Sequence, residues 1–370
     1  MTNPYYTELV QNLPAKIPFV GPEAQERARG AGFQARLGAN ESGFGPSPNA
    51  IATMAQAAGE TWMYGDPEAH DLRHALARHH GCAPENVVVG EGIDGLLGYL
   101  VRLLVAPGDA VVTSDGAYPT FTYHVAGYGG ILHKVPYTND HEDPEALMAT
   151  ARRVGAKLIY FANPDNPMGS WHSAVTVRRM VDHLPKGTVL ALDEAYADTA
   201  PSGTIPPFDP NHPRVIRFRT FSKAYGLAGL RVGYALAEAG FAAAFNKIRN
   251  HFGVGRIAQA GALAALDDQT YLTCTVSRIA AARDRITAIA QTHDLTPLPS
   301  AANFVAIDCG GDGAFATAVL NALLDQGVFV RMPSVAPLNR TIRVSCGPDL
   351  ALDAFEAALP LALSAARKGV

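Results

Sequence analysis

The alternation of short apolar runs with longer amphipathic stretches constrains this 370-residue chain more than any other feature. "NVVVGEG" is followed by "GLLGYLVRLLV" and "AKLIYFANP" by "AVTVRRMVDHL", while "DAVVTSD", "TVLALDEAY" and "RVIRFRTFSK" continue the series. Short runs rich in Val, Ile and Leu, spaced by helical lengths, fit parallel strands buried on both faces with helices as crossovers. The expected fold class is α/β, with a mostly parallel, doubly wound sheet.

After about residue 250 the texture changes to Ala-rich helix, "RIAQAGALAAL" and "VSRIAAARDRITAIAQTH", and then to three short strand-like runs, "ANFVAIDC", "GVFVRMP" and "TIRVSCG". Helices followed by short strands point to a separate, smaller α+β domain. The opening residues are proline-broken and weakly periodic, like an arm that packs on something else. The expected organisation is an arm over 1–30, a large domain over 31–252 and a C-terminal domain over 253–370.

The 30 Lys and Arg against 34 Asp and Glu give a formal charge of −4 and a pI near 6.3. That balance argues against a nucleic-acid or membrane-surface partner. Cys82, Cys274, Cys309 and Cys346 lack CxxC spacing, so neither zinc nor a disulfide framework is expected. "MTNPYYTELVQNLP" has no basic stretch leading into an apolar core, and no apolar run is long enough to span a membrane. A cytoplasmic location is the expectation.

Polar residues collect where each strand-like run stops: Gly92 and Asp94, Tyr118 and Phe121, Asn163 and Asn166, Asp193 and Tyr196, Ser222 and Lys223. Ligands of open α/β sheets sit beyond the carboxyl ends of the strands, so these five segments should meet at one crevice. "VVVGEGIDGLLGYL" sets glycines and Asp94 between a strand and a helix, where freed N–H groups and the helix dipole favour an anion such as phosphate. A plain strand-to-helix turn fits that stretch equally well. Ser222 and Arg231 supply a hydroxyl and a cation for the same anion. Asp193 ends an apolar strand, and a buried carboxylate needs a cation or donors; a pyridinium N–H would serve. Phe121 is either a stacking surface for a flat ring or ordinary core.

Taken together, "NPDNPMG", "DEAY" and "SKAYGLAGLRVGY" resemble the fold-type I, pyridoxal-phosphate-dependent aminotransferases of class I/II, and most closely their histidinol-phosphate aminotransferase branch. The likeness runs in order from "LGANESGFGPSP" to "IRVSCG", and the 30 residues from Asp193 to Lys223 and 8 from Lys223 to Arg231 are usual for that family. The resemblance implies a PLP transaminase that moves an amino group between histidinol phosphate, or a related amino acid, and a 2-oxo acid such as 2-oxoglutarate. It implies that Lys223 carries pyridoxal 5′-phosphate and shuttles the substrate proton, and that Asp193 pairs with the pyridine nitrogen. By the same likeness Asn166 and Tyr196 hold the ring's 3′ oxygen, Phe121 stacks on the ring, and Ile93, Asp94, Ser222 and Arg231 hold the phosphate.

Tyr64 matches a tyrosine that reaches the phosphate of the neighbouring subunit, which implies a homodimer. Arg343 matches the arginine that grips the substrate α-carboxylate, Asn40 and Glu41 match a segment lining the entrance, and Arg331 corresponds to a position that helps bind a distal phosphate. The chain departs from the pattern at Phe19, where the family usually has a tyrosine, at "DNPMG" in place of "NNPTG", and at "HFGVGRIAQ", which adds His251 and Arg256. These departures bear on the substrate, and an aromatic or broad-specificity amino-acid aminotransferase competes with the histidinol-phosphate reading. A threonine-phosphate-type PLP decarboxylase and a cofactor-binding regulatory domain are the alternatives from other classes.

Overall fold

The structure is a computed structural model that describes residues 5–14 and 20–369; Phe19 therefore lies outside the described residues. Its centre is a seven-stranded sheet. In chain order its strands are β2 (Val87–Gly90), β3 (Ala110–Ser114), β4 (Ile131–Val135), β5 (Leu158–Ala162), β6 (Val189–Asp193), β7 (Val215–Thr220) and β8 (Gly233–Leu236), after a short β1 (Ala35–Arg36) that belongs elsewhere. The spatial order is β2-β8-β7-β6-β5-β3-β4, with β8 antiparallel to both neighbours and the remaining pairs parallel.

Both faces of the sheet are covered. Helices α1 (Glu8–Gln11) and α2 (Pro22–Arg29) open the chain, followed by α3 (Pro48–Ala57), α4 (His70–His80), α5 (Gly92–Leu104), α6 (Pro119–Gly127), α7 (Pro144–Val154), α8 (Ala174–Asp182) and α9 (Ala239–Ala244). Alternation along β5 sends Leu158, Tyr160 and Ala162 toward α5 and α6, and Ile159 and Phe161 toward α7 and α8. All five β5 residues are buried, which is why this run carries no polar/apolar alternation.

The C-terminal unit packs α11 (Gln269–Thr292), α12 (Gly313–Asp325) and α13 (Asp349–Gly369) on a three-stranded antiparallel sheet of β9 (Thr296–Pro297), β10 (Phe304–Asp308) and β12 (Thr341–Ser345). Its remaining strand, β11 (Val328–Phe329), pairs in parallel with β1, Ala35 opposite Val328. Two expected boundaries move accordingly. Residues 35–37 join the C-terminal core, where Ala35 and Leu37 pack with Val305, Ile307 and Val328. Helix α10 (Arg256–Asp267), expected in the C-terminal domain, instead packs on α3 and α4 in a cluster with Val87, Val89 and Tyr234. Its small residues Ala258, Gly261, Ala262 and Ala265 allow that close approach.

Candidate active site

Five strand ends do converge. Ile93, Asp94, Tyr118, Asn166, Asp193, Tyr196, Ser222, Lys223 and Arg231 line one cavity of about 320 Å³ at the carboxyl edge of the sheet. Lys223 follows β7 directly, and its ammonium nitrogen donates to the Asn40 carbonyl at 3.2 Å. Burial, then the Arg343 guanidinium, pulls its pKa down to about 8. The lysine is thus held where its neutral amine is readily available.

Asp193 closes β6 and is only 5% exposed. It accepts from the Tyr160 hydroxyl at 2.6 Å and from the Ala195 N–H at 2.9 Å. Burial pushes its pKa up to about 6, because no direct ion pair among the described residues balances its charge. Tyr160 was missed in the sequence reading, although a tyrosine inside "LIYFA" needs a hydroxyl partner and so carried a signal.

Tyr196 holds a position between two amides, accepting from Asn40 Nδ2 at 2.9 Å and Asn166 Nδ2 at 3.4 Å. Its hydroxyl proton is free to donate into the cavity. Burial pushes the phenol up to about 12, so that proton stays on. Asn40 takes a left-handed backbone, φ 54, and is fixed through the Ser345 hydroxyl and by Asn303, which donates to its carbonyl.

The α5 N-terminus forms the opposite wall. Glu91, at its N-cap, makes no side-chain capping bond. Gly92 sits at φ +75, and a Cβ there would lie 2.6 Å from the Arg231 guanidinium, so only glycine leaves room for that side chain beside the helix end. Arg231 reaches the Ser222 hydroxyl at 3.4 Å and Asp94 at 3.5 Å. N–H groups, a hydroxyl and a cation around one space are the donor set a phosphate takes.

Phe121 requires a correction. Its ring is fully buried and stacks on the cavity-lining Tyr160, centroids 4.5 Å apart, without itself lining the cavity. Tyr118 lines the cavity instead, its hydroxyl donating to Asp94 at 2.9 Å. The reason is helical phase: α6 begins at Pro119, so residue 118 stands at its mouth while residue 121 turns into the core.

An adjoining cleft of about 710 Å³ shares Asp94, Tyr118, Asn166 and Lys223 with the cavity and adds Asn40, Arg331 and Arg343. Arg343 donates to the Asn166 amide oxygen, while its Nε is buried with no partner among the described residues. Burial holds its pKa below the usual arginine value. Arg331 donates to the Val20 carbonyl at 2.9 Å. Tyr64, His251 and Arg256 do not line either space. Tyr64 is 79% exposed against Phe252, with the Arg256 guanidinium on its carbonyl at 3.0 Å.

Comparison with known proteins places these features in context. Residues 34–359 match the model of the family described as aminotransferase class I and II. The histidinol-phosphate aminotransferase of Roseiflexus castenholzii is 36% identical over 319 residues, covering 84% of this chain and 85% of its own. Histidinol-phosphate aminotransferase 1 of Mesorhizobium japonicum is 32% identical over 359 residues, with coverage of 95% and 96%. Among solved structures, the histidinol-phosphate aminotransferase from Sinorhizobium meliloti in complex with pyridoxal-5′-phosphate is 55% identical, covers 98% of each chain and superposes with a TM-score of 0.94.

Proposed function

The chain belongs to the class I and II aminotransferases, and from that premise we propose that it uses pyridoxal 5′-phosphate to move an amino group between histidinol phosphate and a 2-oxo acid such as 2-oxoglutarate. The observation that carries this reading is the pairing of Lys223, its pKa pulled to about 8, with Asp193, a buried carboxylate raised to about 6 for want of a cation. A ring N–H⁺ would balance Asp193, the α5 N-terminus with Ser222 and Arg231 would hold a phosphate, and Tyr118 would cover one ring face. The residues fit the cofactor, and the relative that is 55% identical binds it.

When bound, the cofactor supplies an aldehyde that accepts the amino group and a ring that stores the electron pair of the substrate α-carbon. Lys223 Nζ would take the proton from that carbon and carry it to the carbon of the cofactor that receives the amino group; the Asn40 carbonyl keeps the amine in place. Asp193 would keep a proton on the ring nitrogen. Tyr196, pinned by Asn40 and Asn166, would donate to the ring oxygen. Arg343 grips the α-carboxylate, its guanidinium aimed by the Asn166 amide oxygen and its unpartnered Nε completing a two-pronged contact.

Arg331, in the cleft beyond Lys223, is the group for a distal phosphate. Tyr64 supports a homodimer, since it is exposed against the exposed Phe252 and lines neither space of its own chain, as a tyrosine that serves a neighbour's site would. A cytoplasmic location is part of the same reading. No helix among the described residues is long and apolar enough to cross a membrane.

A half-reaction screen tests the proposal. Cofactor-loaded protein is mixed with histidinol phosphate, phenylalanine, tyrosine, histidine and aliphatic amino acids, and loss of the visible band of bound cofactor is followed. Fast conversion by histidinol phosphate is the expected result. Preference for an unphosphorylated aromatic amino acid would overturn the substrate and leave the transaminase, and carbon dioxide release without an oxo-acid requirement would overturn the reaction.

A further inference from the structure

The substrate-gripping Arg343 and the proton-moving Lys223 line one cleft but stand on different units, Arg343 on β12 and Lys223 after β7. Groups that act on adjacent atoms of one substrate need a fixed separation, since a misplacement of about 1 Å can cost on the order of 100-fold in rate. The contacts that fix it run along a seam between the 165–170 turn of the large domain and the C-terminal unit. Nearest the cleft, Arg343 donates to Asn166. The Ala301 N–H donates to the Gly169 carbonyl at 2.8 Å, and a Cβ on Gly169 would lie 2.4 Å from the Ser300 hydroxyl oxygen. The next stretch is apolar: Met168 and Tyr137 of the large domain pack with Ala306, Leu338 and Leu298 of the C-terminal unit. Apolar contacts hold two surfaces together without fixing direction.

Beyond that stretch stands Arg340, three residues before Arg343 and so about 10 Å from it along the strand. Its Nη1 and Nη2 donate to the two carboxylate oxygens of Asp140 at 3.1 and 2.8 Å, and its Nε donates to Asp308 at 2.7 Å. Asp308 closes β10, inside Arg340's own unit, whereas Asp140 belongs to the large domain, between β4 and α7. Local structure prepares Asp140 for this contact. Thr138 and His141 exchange backbone bonds of 2.9 and 3.1 Å, which leaves Asn139 and Asp140 at the tip of a two-residue turn with φ 50 and 63. Glycine would serve such a left-handed tip at least as well; what aspartate adds is a carboxylate. The turn is itself anchored, because Tyr137 donates to Asp165 at 2.9 Å and Thr138 donates to Asp143, the N-cap of α7, at 3.2 Å.

We propose that Arg340 is a positioning residue: its two-pronged contact with Asp140 sets the register of the C-terminal unit on the large domain and so aims Arg343 at the substrate carboxylate. A planar fork fixes direction as well as distance, which the apolar stretch does not. The kinetic part of this inference rests on the aminotransferase reading; the clamp between the units does not.

Two carboxylates on one guanidinium supply the test. In Asp140→Asn the amide has a single oxygen and cannot take both prongs, and asparagine tolerates the left-handed backbone. Asp308→Asn makes the same chemical change within one unit. Both variants should lose similar stability, but only Asp140→Asn should raise KM for amino and oxo acid, about fivefold, with kcat less affected. Asp308→Asn should keep KM within about twofold, and cofactor affinity by equilibrium titration should stay within about twofold in both, because every group assigned to the cofactor lies in the large domain. Arg340→Lys, which keeps the charge and loses the fork, should raise KM about threefold. An equal rise in KM in the two aspartate variants, a parallel loss of cofactor affinity, or unchanged KM in Asp140→Asn overturns the positioning role. Hydrogen exchange of the holoenzyme reads the clamp without turnover: amides of 165–170 and 341–345 should exchange faster in Asp140→Asn and at the wild-type rate in Asp308→Asn. Equal exchange in the two overturns the clamp. Failure of the loaded wild-type protein to transaminate would sink the functional reading alone and leave the exchange result to decide the clamp.

Discussion

Asp193 and Glu194 are adjacent in sequence, both buried, and in opposite electrostatic conditions. Glu194 faces the side of the sheet where Arg217 binds it through three contacts of 2.7–3.0 Å and Arg219 through one of 2.8 Å. Burial alone would raise its pKa, yet Arg217 and Arg219 hold it below the ordinary value. Asp193 faces the crevice with a phenol and a backbone N–H and, among the described residues, no direct ion pair, so burial wins. Strand alternation makes the contrast possible, because consecutive residues point to opposite faces. A buried carboxylate with its guanidinium partners in place belongs to the architecture; one left short of a cation is ready for a ligand.

Substitutions on the two sides should separate. Lys223→Ala in the crevice is expected to lower turnover by about 10⁴-fold or more and abolish the visible band of bound cofactor, with stability little changed; retained turnover would break the assignment of the crevice. Glu194→Ala should do the reverse, destabilising the fold by about 3–5 kcal/mol because two buried guanidinium groups lose their partner. The comparison breaks if this variant, kept below its melting point, is as inactive as Lys223→Ala. Arg343→Ala should raise KM on the order of 100-fold for amino and oxo acids alike, since both present one carboxylate; an effect on a single substrate would give Arg343 another role. The smallest effect is one of pH. Asp193 is ionised above about 6, so cofactor affinity measured by equilibrium titration should weaken as pH falls through that value and stay flat in Asp193→Asn.

Much of this was legible in the chain itself. The apolar runs located the parallel strands, and the polar residues at their ends named most of the cavity lining, because a strand end in an open sheet is both a local signal and a global address. Ring phase was less legible: "YPTF" holds two aromatics, and only the start of α6 at Pro119 decides that Tyr118 faces the cavity and Phe121 the core. Domain membership was hidden where it depends on distant contacts. Nothing local in "QARLG" says that Ala35 pairs with Val328, and the Ala-rich α10 carries no mark of which unit it joins.

The pairing of β1 with β11 also sets a timetable. Ala35 leaves the ribosome 293 residues ahead of its partner Val328. At about 5–20 residues per second, β1 waits roughly fifteen seconds to a minute for β11. When the sheet that holds Lys223 and Asp193 is first complete in sequence, at Leu236, Asn40, five residues beyond Ala35, still lacks Asn303 and Ser345 to anchor it. The lysine's carbonyl partner is therefore secured only after the strand that carries the lysine has been made, and catalytic competence waits on the C-terminal unit.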